Sequence, residues 1–268
     1  MRRPERRNRN IGTKGSGYSQ DNEFKIPETW IDRYGQYSLF YERIQPSLIH
    51  KDKLGESFVT FCYEKPLEGY SYGCNISDVK RVLLNLKDSV PEFPPLVVFR
   101  QPTQKQQTVQ PVWGRFIYNY ESRNSTAEEL NGEFSAIVIE AQKIGASLIW
   151  NKKMSLEDRK EFDRLVFDGH VFEEQKRAWK ATLTNETIRS TILYRTVIHE
   201  LGHWKQYCEN VIFSRTSLGR DWDESWDLHH SQPVQEKEQF AHRFADENAK
   251  NLLKNGRIPF DPLEEVAN

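Results

Sequence analysis

The sequence predicts an α+β fold, with a few short strands gathered between helices. Three observations carry this. A helical pattern over residues 77–90 is followed by short apolar runs of strand character at 96–99, 112–118 and 134–139. A long amphipathic pattern then begins near residue 185 and continues to Cys208. A second one, over residues 235–253, closes the folded part of the chain. Runs of strands followed by runs of helices point to this class.

Residues 1–22 carry Arg2, Arg3, Arg6, Arg7, Arg9 and Lys14 with almost no apolar residues, and such a composition has no core to join. The segment is expected to be a disordered basic arm. It has the charge to touch nucleic acid, although Tyr18 is its only aromatic, and a solvated tail is the preferred reading. Residues 23–77 are rich in aromatics (Trp30, Tyr34, Tyr37, Phe40, Tyr41, Phe58, Phe61, Tyr63), which read as core and docking surface. Within them Ser57–Tyr63 alternates as a strand does, and the region stands either apart or as part of the same domain as residues 78–268.

Ser77 is placed to cap a helix patterned by Val79, Val82, Leu83, Leu86 and Val90, which Pro91 stops. Pro94 and Pro95 lead into the strand at 96–99, and a Gln-rich loop over 101–110 separates it from the second. Ser147 to Trp150 reads as a fourth strand, Ser155 starts a charged helix reaching Phe167, and residues 171–179 read as a short helix. Thr184 or Asn185 caps the long helix, whose apolar stripe is Ile188, Ile192, Leu193, Val197, Leu201, Trp204 and Cys208. Residues 214–233 read as a loop bearing Trp222, Trp226, His229 and His230. Gly256 and Pro259 end the last helix.

At 268 residues, 37% of them hydrophobic, the chain suffices for one large domain or one with a smaller appendage. A net charge of −1 makes it no general binder of nucleic acid. Three widely spaced cysteines form neither a disulfide framework nor a metal knuckle, which favours a reducing compartment. No apolar run approaches the length of a membrane span and none follows the basic N-terminus as in a secretory signal, so a cytoplasmic protein without membrane partners is expected.

The long helix carries His199-Glu200-Leu201-Gly202-His203. Positions i and i+4 project from one helical face, so His199 and His203 can take two corners of a tetrahedral zinc site. Glu200 lies about 100° around the axis, beside the metal, where a carboxylate can take a proton from water. H-E-x-x-H within a helix is a metalloprotease signature.

This order of elements, from about residue 78 to 254, resembles the zincin metallopeptidases. The resemblance is specific at the motif helix and loose in the strands. It implies a zincin-like fold: a small twisted mixed sheet packed on the long metal-binding helix, an edge strand facing the cleft, and a C-terminal ligand helix. Residues 112–118 or 134–139 are the alternatives for that edge. A catalytic zinc takes three protein ligands. Gln206 and Glu209 stand where the metzincin branch needs Gly and His, which excludes it. The segment Glu238-Gln239-Phe240-Ala241-His242-Arg243-Phe244-Ala245 is similar to the E-x-x-A-N-x-F-A segment of the ImmA/IrrE-type metallopeptidases, within the gluzincin branch. On that resemblance Glu238 is the third ligand, with Glu236 and then His229 or His230 as rivals. His242 stands where those families often place Asn or Asp, and either His242 or Asp246 must then support the zinc-bound imidazole. His229 and His230 are also candidates to stabilise the oxyanion of a tetrahedral intermediate.

The expectation is therefore a Zn2+-dependent peptidase acting on a protein or peptide substrate, with Glu200 as general base. The alternative is a regulatory or interaction module that keeps the metal site without proteolysis, against which the intact Glu200 argues.

Overall fold

The computed structural model describes residues 29–31, 37–39, 46–103, 107, 112–122, 132–214, 217 and 219–265. The basic arm and most of the Gln-rich loop lie outside the described residues. The architecture is α+β with a mixed sheet, as the element order predicts.

The strands are β1 (Thr29–Ile31), β2 (Tyr37–Leu39), β3 (Leu48–Leu54), β4 (Ser57–Tyr63), β5 (Tyr70–Ser71), β6 (Leu96–Arg100), β7 (Gly114–Ser122), β8 (Gly132–Glu140), β9 (Gln142–Lys143), β10 (Ser147–Asn151), β11 (Glu173–Glu174) and β12 (Ala178–Thr182). The main sheet has five strands in the order β3-β4-β6-β8-β7. β4, β6 and β8 run parallel, while β3 and β7 pair antiparallel at the two edges. The tight hairpin between β3 and β4 turns at Gly55, whose φ of 61° a side chain would disfavour. β3 and β4 thus belong to the same sheet as β6, β7 and β8.

β6 is central and buried along its whole length, which is why it reads as the unbroken apolar run Leu-Val-Val-Phe. Val97 and Phe99 face the large core with Ile137 and Ile139 of β8. Leu96 and Val98 join a smaller cluster on the other face with Ala136, Val138 and Tyr120.

Helix α1 spans Ile76–Asn85 and is capped by Asn75, whose side chain accepts from the Asp78 N–H, two residues before the cap that Ser77 suggested. Helix α2 spans Leu156–Phe167 and starts at Ser155 with a full capping box to Asp158. The motif rod follows: α3 (Asn185–Thr191), a wide π turn over Ile192–Thr196, α4 (Val197–Tyr207) and a second π turn over Cys208–Ile212. Thr184 caps it. Every residue of its predicted apolar stripe is at most 2% exposed. Burying each such side chain contributes about 1.5–3 kcal/mol, so packing rather than helix propensity holds the rod. Trp204 Nε1 adds a hydrogen bond to the Glu92 carbonyl, 2.8 Å away.

Three expectations are corrected. Residues 171–179 are not a helix: β11 pairs with β12, and β12 pairs with β10, setting Trp179 opposite Trp150, with both indoles against Phe162 of α2. Cross-strand burial here overrides a weak helical pattern. The strand at Ser147 accordingly belongs to this small second sheet and not to the main one. The segment 214–233 is not all loop, since it contains α5 (Trp222–Ser231), capped by Asp221 and carrying Asp223 and Glu224 in its first turn. The last helix, α6, spans Val234–Lys254.

Candidate metal centre

His199 and His203 project from one face of α4, their ring centroids 4.8 Å apart and nearly perpendicular. Their Nε2 atoms are 3.2 Å apart. Glu238 of α6 reaches across to both, with Oε2 at 3.3 Å from His199 Nε2 and Oε1 at 3.4 Å from His203 Nε2. A zinc–nitrogen distance of about 2.0–2.1 Å in tetrahedral geometry separates neighbouring donors by roughly 3.3–3.4 Å. The three measured distances are close to that spacing, with the carboxylate meeting the two rings through different oxygens. Two imidazole lone pairs and a carboxylate aimed at one point repel unless a cation or proton sits among them, so the donor set fits a divalent ion.

Glu238 is delivered by a close approach of two helices. A Cβ on Gly202 would meet Ala241 Cα at 3.0 Å and the Phe244 side chain at 3.1 Å, so the glycine lets α6 settle on α4 one turn from the ligand. Ala241 and Ala245 are buried on the same side of α6. The carboxyl of Glu238 lies far below the usual range: burial works against the anion, but the imidazoles of His199 and His203 outweigh it. His203 moves up; burial disfavours its cation, and the Glu238 hydrogen bond with the charges of Glu200 and Glu238 overcomes this.

Glu200 is 7% exposed and lies close enough to His199 and His203 for one atom of each to fall within 4.8 Å of the others. It lines, with His199, a cavity of about 830 Å³ bounded by Trp113, Gly114, Trp150 and Arg195. The cavity opens beside β7, which alone of the two proposed strands is an edge; β8 lies between β6 and β7. β7 is pressed onto the motif rod at its start, for a Cβ on Gly114 would stand 2.9 Å from Thr196 Cγ2.

The base of the rod is fixed by a buried polar network. Arg195, one turn before His199, donates from Nε to Asp168 Oδ2 at 2.6 Å and from Nη1 to Glu161 Oε1 at 2.7 Å. Thr191 donates to Asp168 at 2.9 Å and pairs with His170 Nε2 at 2.9 Å. These bonds tie α2 and the turn after it to the motif helix, and no sequence pattern announced them.

The rival ligands are engaged elsewhere. Glu236 is exposed. His229 is 1% exposed, with Nε2 at 3.1 Å from the Tyr118 hydroxyl and Nδ1 at 3.4 Å from Asn210 Nδ2. Burial first, then Lys237 and His230, pushes its pKa down to about 4. His230 is exposed, stacks on Trp226 at 4.0 Å and bonds the Trp226 carbonyl through Nδ1. Tyr207 is packed among Phe116, Tyr118 and Trp226. Of the two candidates to support a ligand imidazole, His242 lies against His199, ring centroids 4.4 Å apart, whereas Asp246 is exposed beside the groove between α2 and α6. His199 Nδ1 is buried and has no hydrogen-bond partner among the described residues.

No helix among the described residues is long and apolar enough to cross a membrane. No protein-family model, curated protein or solved structure matches this chain.

Proposed function

We propose that this chain is a zinc-dependent metallopeptidase of the gluzincin type, with a zincin-like arrangement of sheet, motif helix and ligand helix, hydrolysing peptide bonds of a protein substrate. The observation that carries the reading is the convergence of His199 Nε2 and His203 Nε2, 3.2 Å apart, on the carboxylate of Glu238, whose Oε2 is 3.3 Å from the first and Oε1 3.4 Å from the second. Those three residues hold the ion. When bound, zinc supplies Lewis acidity to the scissile carbonyl and acidity to water.

Glu200 takes the proton of the attacking water and later delivers it to the leaving amine. Its neighbours on α4 keep it from joining the ligand set, because adjacent helical residues diverge by about 100°. The substrate backbone lies extended along β7, the outer strand of the five, where main-chain hydrogen bonds give affinity with little demand on sequence. The cavity beside His199 and Glu200 then receives the side chain next to the scissile bond.

The test is metal content and activity together. Purified protein is expected to carry one zinc per chain by mass spectrometry, and cells expressing wild type are expected to lose a protein that cells expressing Glu200→Gln retain. Zinc without any such loss favours the non-proteolytic regulatory module.

A further inference from the structure

His242 lies one turn beyond Glu238 on α6, so the two side chains leave the helix on the same side and meet His199 together. Its ring is inclined 46° to that of His199 at a centroid separation of 4.4 Å. One nitrogen of His242, one of His199 and one carboxylate oxygen of Glu238 all lie within 4.8 Å of one another. The ring lines both the cavity beside Glu200 and the groove between α2 and α6. It is half-buried, and no hydrogen bond from a described residue holds it. A neutral imidazole so placed is a fourth donor at the rim of a three-donor site.

We propose that His242 is a displaceable fourth protein ligand, which closes the open position of the metal in the resting protein and yields it to water and substrate. The inference rests on the reading of His199, His203 and Glu238 as the metal-holding set. Donors around a tetrahedral zinc stand roughly 3.3–3.4 Å apart, so the His242 ring binds by moving inward, a displacement within reach of its side-chain torsions. The groove on its other side gives it somewhere to go. Four protein donors make a closed site of the structural kind, whereas three leave a corner for chemistry. The protein alternates between these forms, and hydrolysis waits on the departure of His242.

A different role predicts different behaviour. If His242 only oriented His199 by accepting from its buried Nδ1, an amide at position 242 would do the same work, since such partners tune a metal site by about 10–100-fold in affinity.

The experiment uses the full chain loaded with Co2+, whose visible bands report the ligand set, and with Zn2+ in competition with a chromophoric chelator. Wild type, His242→Ala and His242→Asn are compared, with melting of the metal-free proteins as the check on folding. Both variants are expected to bind Zn2+ at least tenfold more weakly. Their Co2+ bands are expected to shift on addition of azide at concentrations tenfold below those that move the wild-type spectrum. The proposal is overturned if His242→Ala matches wild type in Co2+ spectrum and azide response, or if His242→Asn restores both while His242→Ala does not. A variant that fails to fold is replaced by His242→Gln under the same criteria. Should wild type bind no metal, or His203→Ala bind as much as wild type, the metal-centre reading itself fails. Stoichiometric metal that His203→Ala loses, with an unchanged His242→Ala, defeats only the fourth ligand.

Discussion

Gly202 of the motif helix and Ala241 of the C-terminal helix face each other so closely that a Cβ on Gly202 would stand 3.0 Å from the Ala241 Cα. The obstacle is backbone, which does not swing aside as a side-chain tip does. Glu238 sits one turn before Ala241 on the same helix, so the separation of the helices sets the reach of its carboxylate to His199 and His203. Gly202→Ala is expected to cost about 1–3 kcal/mol as an overpacking change and to weaken zinc binding as Glu238 is pushed back. Denaturant midpoints and chelator competition measure the two effects. A variant as stable as wild type, with full zinc affinity, would show that the approach can relax without moving the ligand.

The ligand set makes a graded prediction about metal content. His203→Ala removes one corner of a three-residue site and is expected to leave protein with little zinc after dialysis. Glu238→Ala is expected to lose most of its metal, and Glu236→Ala none, because the latter side chain is exposed. Mass spectrometry on the three variants decides. If Glu236→Ala or His230→Ala loses zinc while Glu238→Ala keeps it, the third ligand has been misassigned.

Two buried histidines outside the donor set predict how stability responds to pH. Burial first, and then Arg195, lowers His170 to about 4; burial first, and then Lys237 and His230, lowers His229 to about 4. In the unfolded chain each ring takes up a proton near pH 6.5. Between pH 6.5 and 4 the unfolded state therefore binds more protons, and stability rises with pH across that window. Metal-free protein is expected to lose stability from pH 7 to 5, and His170→Asn or His229→Asn to lose less over the same interval. Urea midpoints at the two pH values give the comparison. Equal losses in wild type and both variants would mean that these rings already exchange protons in the folded state.

What could be read in the sequence divides along physical lines. The grouping of His199, Glu200 and His203 was legible because residues four apart share one face of a helix, and the stripe from Ile188 to Cys208 was legible because burial repeats with the helical period. Glu238 came from resemblance, not from geometry; nothing in spacing alone says that two helices will meet at Gly202 and Ala241. The helix over Trp222–Ser231 was missed although its signals were present: Asp221 as cap, acids in the first turn, and Trp222, Trp226 and His230 at intervals of four. Clusters of Trp, Asp and His obscured the period. The β10–β12 pairing sets Trp150 and Trp179 against Phe162, partners that no local window contains. The Tyr118–His229 bond spans 111 residues and was likewise invisible.

Glu200→Gln separates chemistry from metal binding. The side chain is 7% exposed and shares the space of His199 and His203, yet it leaves the helix about 100° from His199 and so is directed beside the donor triangle. Glutamine keeps the shape and one acceptor oxygen and cannot take a proton at neutral pH. Fold and zinc content are therefore expected to match wild type, while loss of a general base lowers the rate by roughly 10²–10⁴-fold. The zinc content of the purified variant is measured beside its proteolysis in cells, where a substrate lost in wild-type cells should accumulate. Cleavage at the wild-type rate would remove Glu200 from the mechanism. Zinc loss as complete as in His203→Ala would instead make Glu200 part of the metal's support and leave the proton acceptor to be sought among the other residues lining the cavity.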